Sequence, residues 1–175
     1  IEMDLLDSNL LETKFDIIES TGVLHHMEDP IKGLAKLISN LKQYGYMKLA
    51  LYSSKARLSI TKIRKSIKSN KLIPTKKNIM LIREKIINSE LDLKHEFKQL
   101  NDFYNTSMLR DLLFNEIEHQ YNIMQLKDIL EKNNLKFLGF ITTSNIRKKY
   151  LKEYPKDHFC QNMTNWNKFE EKYPG

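Results

Sequence analysis

Two adjacent imidazoles and a set of hydroxyls are the groups in this sequence best suited to chemistry. His25 and His26 stand a few residues beyond the apolar run Phe15 to Ser20 (FDIIES). An imidazole titrates near neutrality, so either ring can take a proton from an acceptor. Either can equally line a pocket or pack where the next helix starts. Tyr52-Ser53-Ser54 places hydroxyls beyond a second apolar run. A second polar group, Glu118-His119 with Asp102, Phe103, Tyr104 and Arg110, reads either as an acceptor-binding set or as a solvated helix face. Adjacent histidines with no third ligand nearby make a poor metal signature, so no metal site is expected. The single cysteine, Cys160, excludes a disulfide framework, a CxxC redox pair and a four-cysteine zinc site. It reads as a buried or incidental thiol, and Trp166 as a packing residue. The glycines are few and form no phosphate-cradling loop.

The elements that must carry these groups follow from periodicity. Phe15 to Ser20 is predicted as a strand buried on both faces, because Ile17 and Ile18 are consecutive β-branched residues. Thr21-Gly22 is a turn. Asp29 as N-cap and Pro30 at the first helical position open a helix through Ile31, Leu34, Leu37, Ile38 and Leu41. Gly45 closes the unit, and Tyr46 to Tyr52 is a second strand. Strand, helix, strand implies a parallel pair with a right-handed crossover, and ligands of such sheets bind beyond the carboxyl ends of the strands. That places His25-His26 and Tyr52-Ser53-Ser54 at one end. Residues 54 to 88 are helical, broken at Pro74-Thr75. Asn101 to Asn105 is a loop, and Thr106 caps a helix through Met108, Leu109, Leu112, Leu113 and Ile117. Asn122 caps another that stops at Asn133-Asn134. Leu135 to Thr143 is predicted as a third strand, and the tail from Ser144 shows little periodicity.

Composition bounds the rest. The chain has 175 residues, 41% hydrophobic and 29% charged, which is globular composition. No apolar run is long enough for a membrane span and no signal-peptide pattern opens the chain, so a cytoplasmic, soluble protein is expected. The net charge is +7, with 24 Lys and only 5 Arg. Lys55 to Lys85 holds eleven basic residues and one acid, Glu84, so the remainder of the chain is net acidic. A cationic helix face of this kind can meet a phosphate backbone or an anionic membrane, or can simply be solvated. The lack of interleaved aromatics and the scarcity of Arg disfavour nucleic acid.

The stretch FDIIESTGVLHHMEDP (Phe15 to Pro30) resembles the strand-four region of class I S-adenosylmethionine-dependent methyltransferases. There an acidic residue, Val-Leu-His-His and Asp-Pro recur together. YGYMKLALYS resembles the next strand of that fold. LYSSKAR, then DFYNTSMLRDLLFNEIEHQYNIMQLKDILEKNNLKFLGF, and the late WNKFEEKYP resemble a bacterial subgroup (methyltransferase type 11/12-like) sometimes joined to tetratricopeptide repeats. IEMDLL resembles the segment after the third strand. The resemblance implies a Rossmann-like α/β fold whose mostly parallel sheet carries a helical insertion. It divides the chain into a cofactor-binding core (1–53), a helical acceptor-side cap (54–121), a return helix and strand (122–143) and a tail (144–175). The chain would be the C-terminal half of such a domain, cut at both ends, and unable to act alone. The missing parts are the half with the Gly-rich turn, the last strand and any repeats joined to them.

The resemblance further implies S-adenosylmethionine as cofactor and an unidentified methyl acceptor, a small molecule or a protein. Asp4 and Leu5 would hold the adenine, while Glu19, Ser20, Gly22 and Val23 would line the cofactor. His25 and His26 would be the catalytic pair, and Tyr52, Tyr104, Arg110, Glu118 and His119 would meet the acceptor. Two other readings remain open: a non-catalytic basic α/β module that binds RNA or an acidic partner, and a degenerate methyltransferase-like subunit used for assembly. A truncated parallel sheet would also leave an edge free to pair, so marginal stability is expected of the chain alone.

Overall fold

Asp29 starts the first helix as its position predicts: its Oδ1 accepts from the N–H groups of Ile31 and Lys32, both at 3.0 Å, and Pro30 follows at N1. The computed structural model describes residues 4–10, 13–88, 97 and 100–174. Strand β1 (Phe15–Thr21), helix α1 (Pro30–Ser39) and strand β2 (Leu41–Ala50) form the expected βαβ unit, with β1 and β2 parallel. Strand β3 (Tyr52–Ser53) is separate and pairs in parallel with β4 (Gln120–Tyr121). The fold is mixed α/β with small parallel sheets.

Three expectations about strands need correction. First, β2 begins at Leu41, not Tyr46, and Gly45 lies inside it. Phe15 pairs with Leu41 but Ile17 with Tyr46, and the intervening irregularity includes Tyr44 in the left-handed region at φ 64°. Second, β1 is buried on one face only. Directly paired residues of a parallel ladder share a face. Ile18, Met47 and Leu49 turn toward the cluster of Leu24, Leu34 and Leu37. On the other face, Ile17 and its partner Tyr46 are 70% and 61% exposed. Two consecutive isoleucines must point to opposite faces, and that pattern does not say whether the second face is covered. Third, Leu135 to Thr143 forms no ladder. Leu135 and Phe137 are half-buried while Lys136 and Leu138 are exposed, so an extended alternation survives. A strand also needs a neighbour for its hydrogen bonds, and none pairs with this segment among the described residues.

The chain divides into two compact units, residues 1–56 with 119–175, and residues 57–118. The first unit continues through α5 (Ile123–Lys132), α6 (Ser144–Glu153) and α7 (Met163–Lys172). Helix α5 opens with a capping box: Asn122 accepts from Gln125 N, and the Gln125 side chain accepts from Asn122 N. The tail is better ordered than its weak periodicity suggests. Tyr150 stacks on Trp166 at 4.0 Å between ring centres, and both pack with Phe169, Met163, Ile123 and Cys160 in one core. The Trp166 indole N–H donates to Cys160 O at 2.8 Å.

The second unit holds α2 (Leu58–Ser69), α3 (Lys76–Asn88) and α4 (Thr106–Phe114) around Ile60, Ile67, Ile79, Ile82, Leu109 and Leu113. Helix α4 is capped by Asn105, not Thr106: its side chain accepts from Ser107 N and Met108 N. Among the described residues, no helix is long and apolar enough to cross a membrane.

Candidate active site at the carboxyl ends of the strands

Strand β1 ends in Thr21, and the chain then turns through Gly22 at φ 76°, a conformation that favours glycine. Among the described residues, a Cβ at Gly22 would meet nothing within 4 Å, so the space at this turn is open. Val23, 44% exposed, faces outward next to it. The following 3-10 turn, Leu24–His26, buries Leu24 and His25. It packs against α1 so closely that a Cβ on Gly33 would lie 2.9 Å from Leu24 Cδ2.

This turn brings the predicted rings together. His25 is 2% exposed; its ring lies 4.1 Å from that of Tyr52 and 4.3 Å from that of His26. His119 N donates to His25 O at 2.8 Å, which ties the turn to the segment leading into β4. His26 is half-buried and retains access to solvent. Strand β3, which carries Tyr52 and Ser53, is thereby set beside both histidines.

Tyr121 and Glu170 were not picked out as site residues in the sequence. Ser53 Oγ donates to Glu170 Oε1 at 2.5 Å, although 117 positions separate the two residues. Glu170 comes from α7, and WNKFEEKYP was the only signal that included it. Burial raises the Tyr121 hydroxyl above the usual phenol range, and the nearby Asp29 carboxylate pushes it the same way. Ser20 Oγ and Glu170 Oε2 are buried with no hydrogen-bond partner among the described residues. An orphaned buried polar atom costs about 1–3 kcal/mol, so both mark places where a ligand group or water gains a bond.

Glu19 points to the exposed face of the sheet and pairs with Lys48 at 2.7 Å. That lysine, through its hydrogen bond and its charge, holds the Glu19 carboxyl below its ordinary range. Asp4 is exposed, and its Oδ1 accepts from Leu6 N at 2.8 Å. Leu5 packs on the cluster of Leu24, Leu34 and Leu37, which belongs to the strand end and α1.

Glu118 and His119 are neighbours in sequence but fall in different units. The Glu118 side chain is 2% exposed; Arg64 reaches it at 2.8 Å and Arg57 at 3.9 Å. Tyr104, 65% exposed, sits edge-to-face on Phe103, and Arg110 is exposed on α4. Among the described residues, no cluster of three His, Cys, Asp or Glu is arranged to hold a metal ion.

No family model matches this chain. An uncharacterised protein of Synechococcus sp. is 28% identical to it over 146 residues, covering 79% of this chain and 35% of the cyanobacterial one. The chain thus spans about a third of the length of this curated relative.

Proposed function

We propose that this chain is part of a Rossmann-like class I methyltransferase domain that transfers a methyl group from S-adenosylmethionine to an acceptor still to be identified. The observation that carries the reading is the open carboxyl end of β1. There Gly22 takes a left-handed conformation with no atom of the described residues near where a Cβ would sit, directly before a turn that packs buried His25 against Tyr52 with the rings tilted. Open α/β sheets bind ligands at such ends.

The residues present fit the cofactor in part. Ser20 Oγ offers an unmatched polar atom, and Val23 offers an exposed apolar surface. Asp4 supplies an exposed carboxylate beside Leu5 for an adenosine moiety. Glu19 fits less well, because its carboxylate is already paired with Lys48 on the uncovered sheet face. When bound, S-adenosylmethionine supplies an already activated methyl group. The chain's own task is to align the acceptor and exclude water. His25, shielded and packed against Tyr52, positions the turn. His26 keeps solvent access and is the ring able to take a proton from an acceptor.

The test is calorimetric titration of S-adenosylhomocysteine into the natural full-length protein and its Asp4→Ala variant. The reading expects Asp4→Ala to weaken binding by about tenfold, while Lys136→Ala, on the distant exposed segment, leaves it unchanged. Equal affinity in the parent and Asp4→Ala would remove Asp4 from the site.

A further inference from the structure

The helical unit presents a surface that the proposed chemistry does not use. Helix α2 ends at Ser69, and the chain reverses through residues 70–75 into α3. This reversal is pinned. Lys71 adopts φ 51°, Leu72 N donates to Ile67 O at 3.1 Å, and Thr75 N donates to Ile73 O at 2.8 Å. The Asn78 side-chain amide also donates to Ile73 O at 2.9 Å. Leu72 turns inward onto the core, yet the Ile73 side chain is held 64% exposed at the tip. Beyond it, Lys76, Lys77, Met80, Leu81 and Glu84 line one shallow groove on the outer face of α3, with Met80 53% and Leu81 40% exposed.

Lys76 and Lys77 flank Met80 and Leu81 in this groove, and further lysines lie along α2 and the reversal. Lys62, Lys65, Lys68, Lys71, Lys76 and Lys77 are all exposed, and none forms an ion pair among the described residues. The pinned turn holds Ile73 in water, and α3 adds Met80 and Leu81, so aliphatic and cationic groups are exposed on the same hairpin. We propose that the α2–α3 hairpin docks on the surface of an anionic lipid bilayer. Ile73, Met80 and Leu81 would enter the boundary between headgroups and acyl chains while the lysine ammonium groups stay at the phosphates. A nucleic acid would use the lysines but leave the aliphatic groups wet, and the face offers no aromatic ring for base stacking.

The test is co-sedimentation of the natural full-length protein with vesicles of phosphatidylcholine alone and with vesicles containing about 30% phosphatidylserine, against a vesicle-free control. The anionic vesicles should retain the protein at least about tenfold better. The variant K68E/K71E/K76E/K77E should fall to the neutral-vesicle level. Ile73→Ser with Met80→Ser, which leaves the charge unchanged, should lose about tenfold, since apolar burial then contributes little. All the altered side chains are exposed, so circular dichroism should match the parent. Equal retention on both vesicle types would overturn the proposal, as would parent-like binding by the Ile73/Met80 variant. Retention of an RNA oligomer but not of vesicles at the same salt would replace it with a nucleic-acid surface.

Discussion

Asp157 organises the connection between the last two helices through a single carboxylate. Its Oδ2 accepts from the Tyr150 hydroxyl at 2.5 Å and from Asn162 N at 2.9 Å, and its Oδ1 accepts from Gln161 N at 3.0 Å. Desolvation by burial pushes this carboxyl up. The Tyr150 hydroxyl and the two backbone N–H groups outweigh it and hold the group below the ordinary Asp range. Burial first, and then the hydrogen bond to Asp157, raises the Tyr150 hydroxyl above the phenol range, so it stays a neutral donor. The unfolded chain therefore binds a proton at Asp157 before the folded one does as pH falls. The stabilisation is complete above about pH 4 and fades as pH drops through the lower folded value. Thermal melts between about pH 2 and 6 should show a shallower acid limb in Asp157→Asn than in the parent. Identical limbs would mean that the charge of Asp157 contributes nothing. Asp16, Glu19 and Glu153 shift the same way beside lysines, but they lie at the surface and salt screens them. Of this cluster only Trp166 and Cys160 stood out in the sequence. The partnership of Tyr150 with Asp157 depends on a turn that composition does not reveal.

The elements were legible where a local signal decides them. Asp29-Pro30 and Asn122 start helices because their side chains satisfy the first free N–H groups wherever the helix later packs. Pro74 separates α2 from α3 for an equally local reason, since its ring cannot continue a helix. Leu135 to Thr143 was misread because a ladder requires a neighbour, which no pattern within the segment supplies. Helices α6 and α7 were missed although Trp166, Phe169 and Tyr173 are spaced by three and four, because two turns of aromatics in a polar stretch give a weak period.

Within the helical unit, one side chain joins two elements. Arg64 of α2 donates from Nε and an NH2 group to Leu112 O of α4, at 2.8 and 2.6 Å, and from the same NH2 group to Glu118 at 2.8 Å. Arg64→Met should cost about 3–5 kcal/mol in chemical denaturation, because Glu118 keeps its charge but loses its nearer partner. Arg64→Lys should recover only part of it, since an ammonium cannot reproduce the guanidinium fork. A loss below about 1 kcal/mol for Arg64→Met would show that Glu118 is solvated in solution.

On the scale of the whole chain, β1 and β2 leave apolar side chains exposed on one sheet face. Ile17 and Tyr46 lie directly paired on it, with Tyr44 nearby at 89% exposure. Exposed apolar strand surface favours association. Sedimentation velocity of the chain alone should show mass rising with concentration, and Ile17→Lys with Tyr46→Lys should suppress the rise. A monomer at every concentration would show that this face is tolerated in water. The candidate site joins segments far apart in the sequence. Histidines, Tyr52 and an open glycine turn were legible from their place after apolar runs, whereas Glu170 reaches Ser53 from the far end of the chain and only the fold joins them.

The proposed S-adenosylmethionine site lies at the open end of β1. Titration of S-adenosylhomocysteine into the natural full-length protein tests it most directly. Saturable binding at one site per domain is expected. Absence of any binding heat or chemical-shift change at saturating ligand would contradict it.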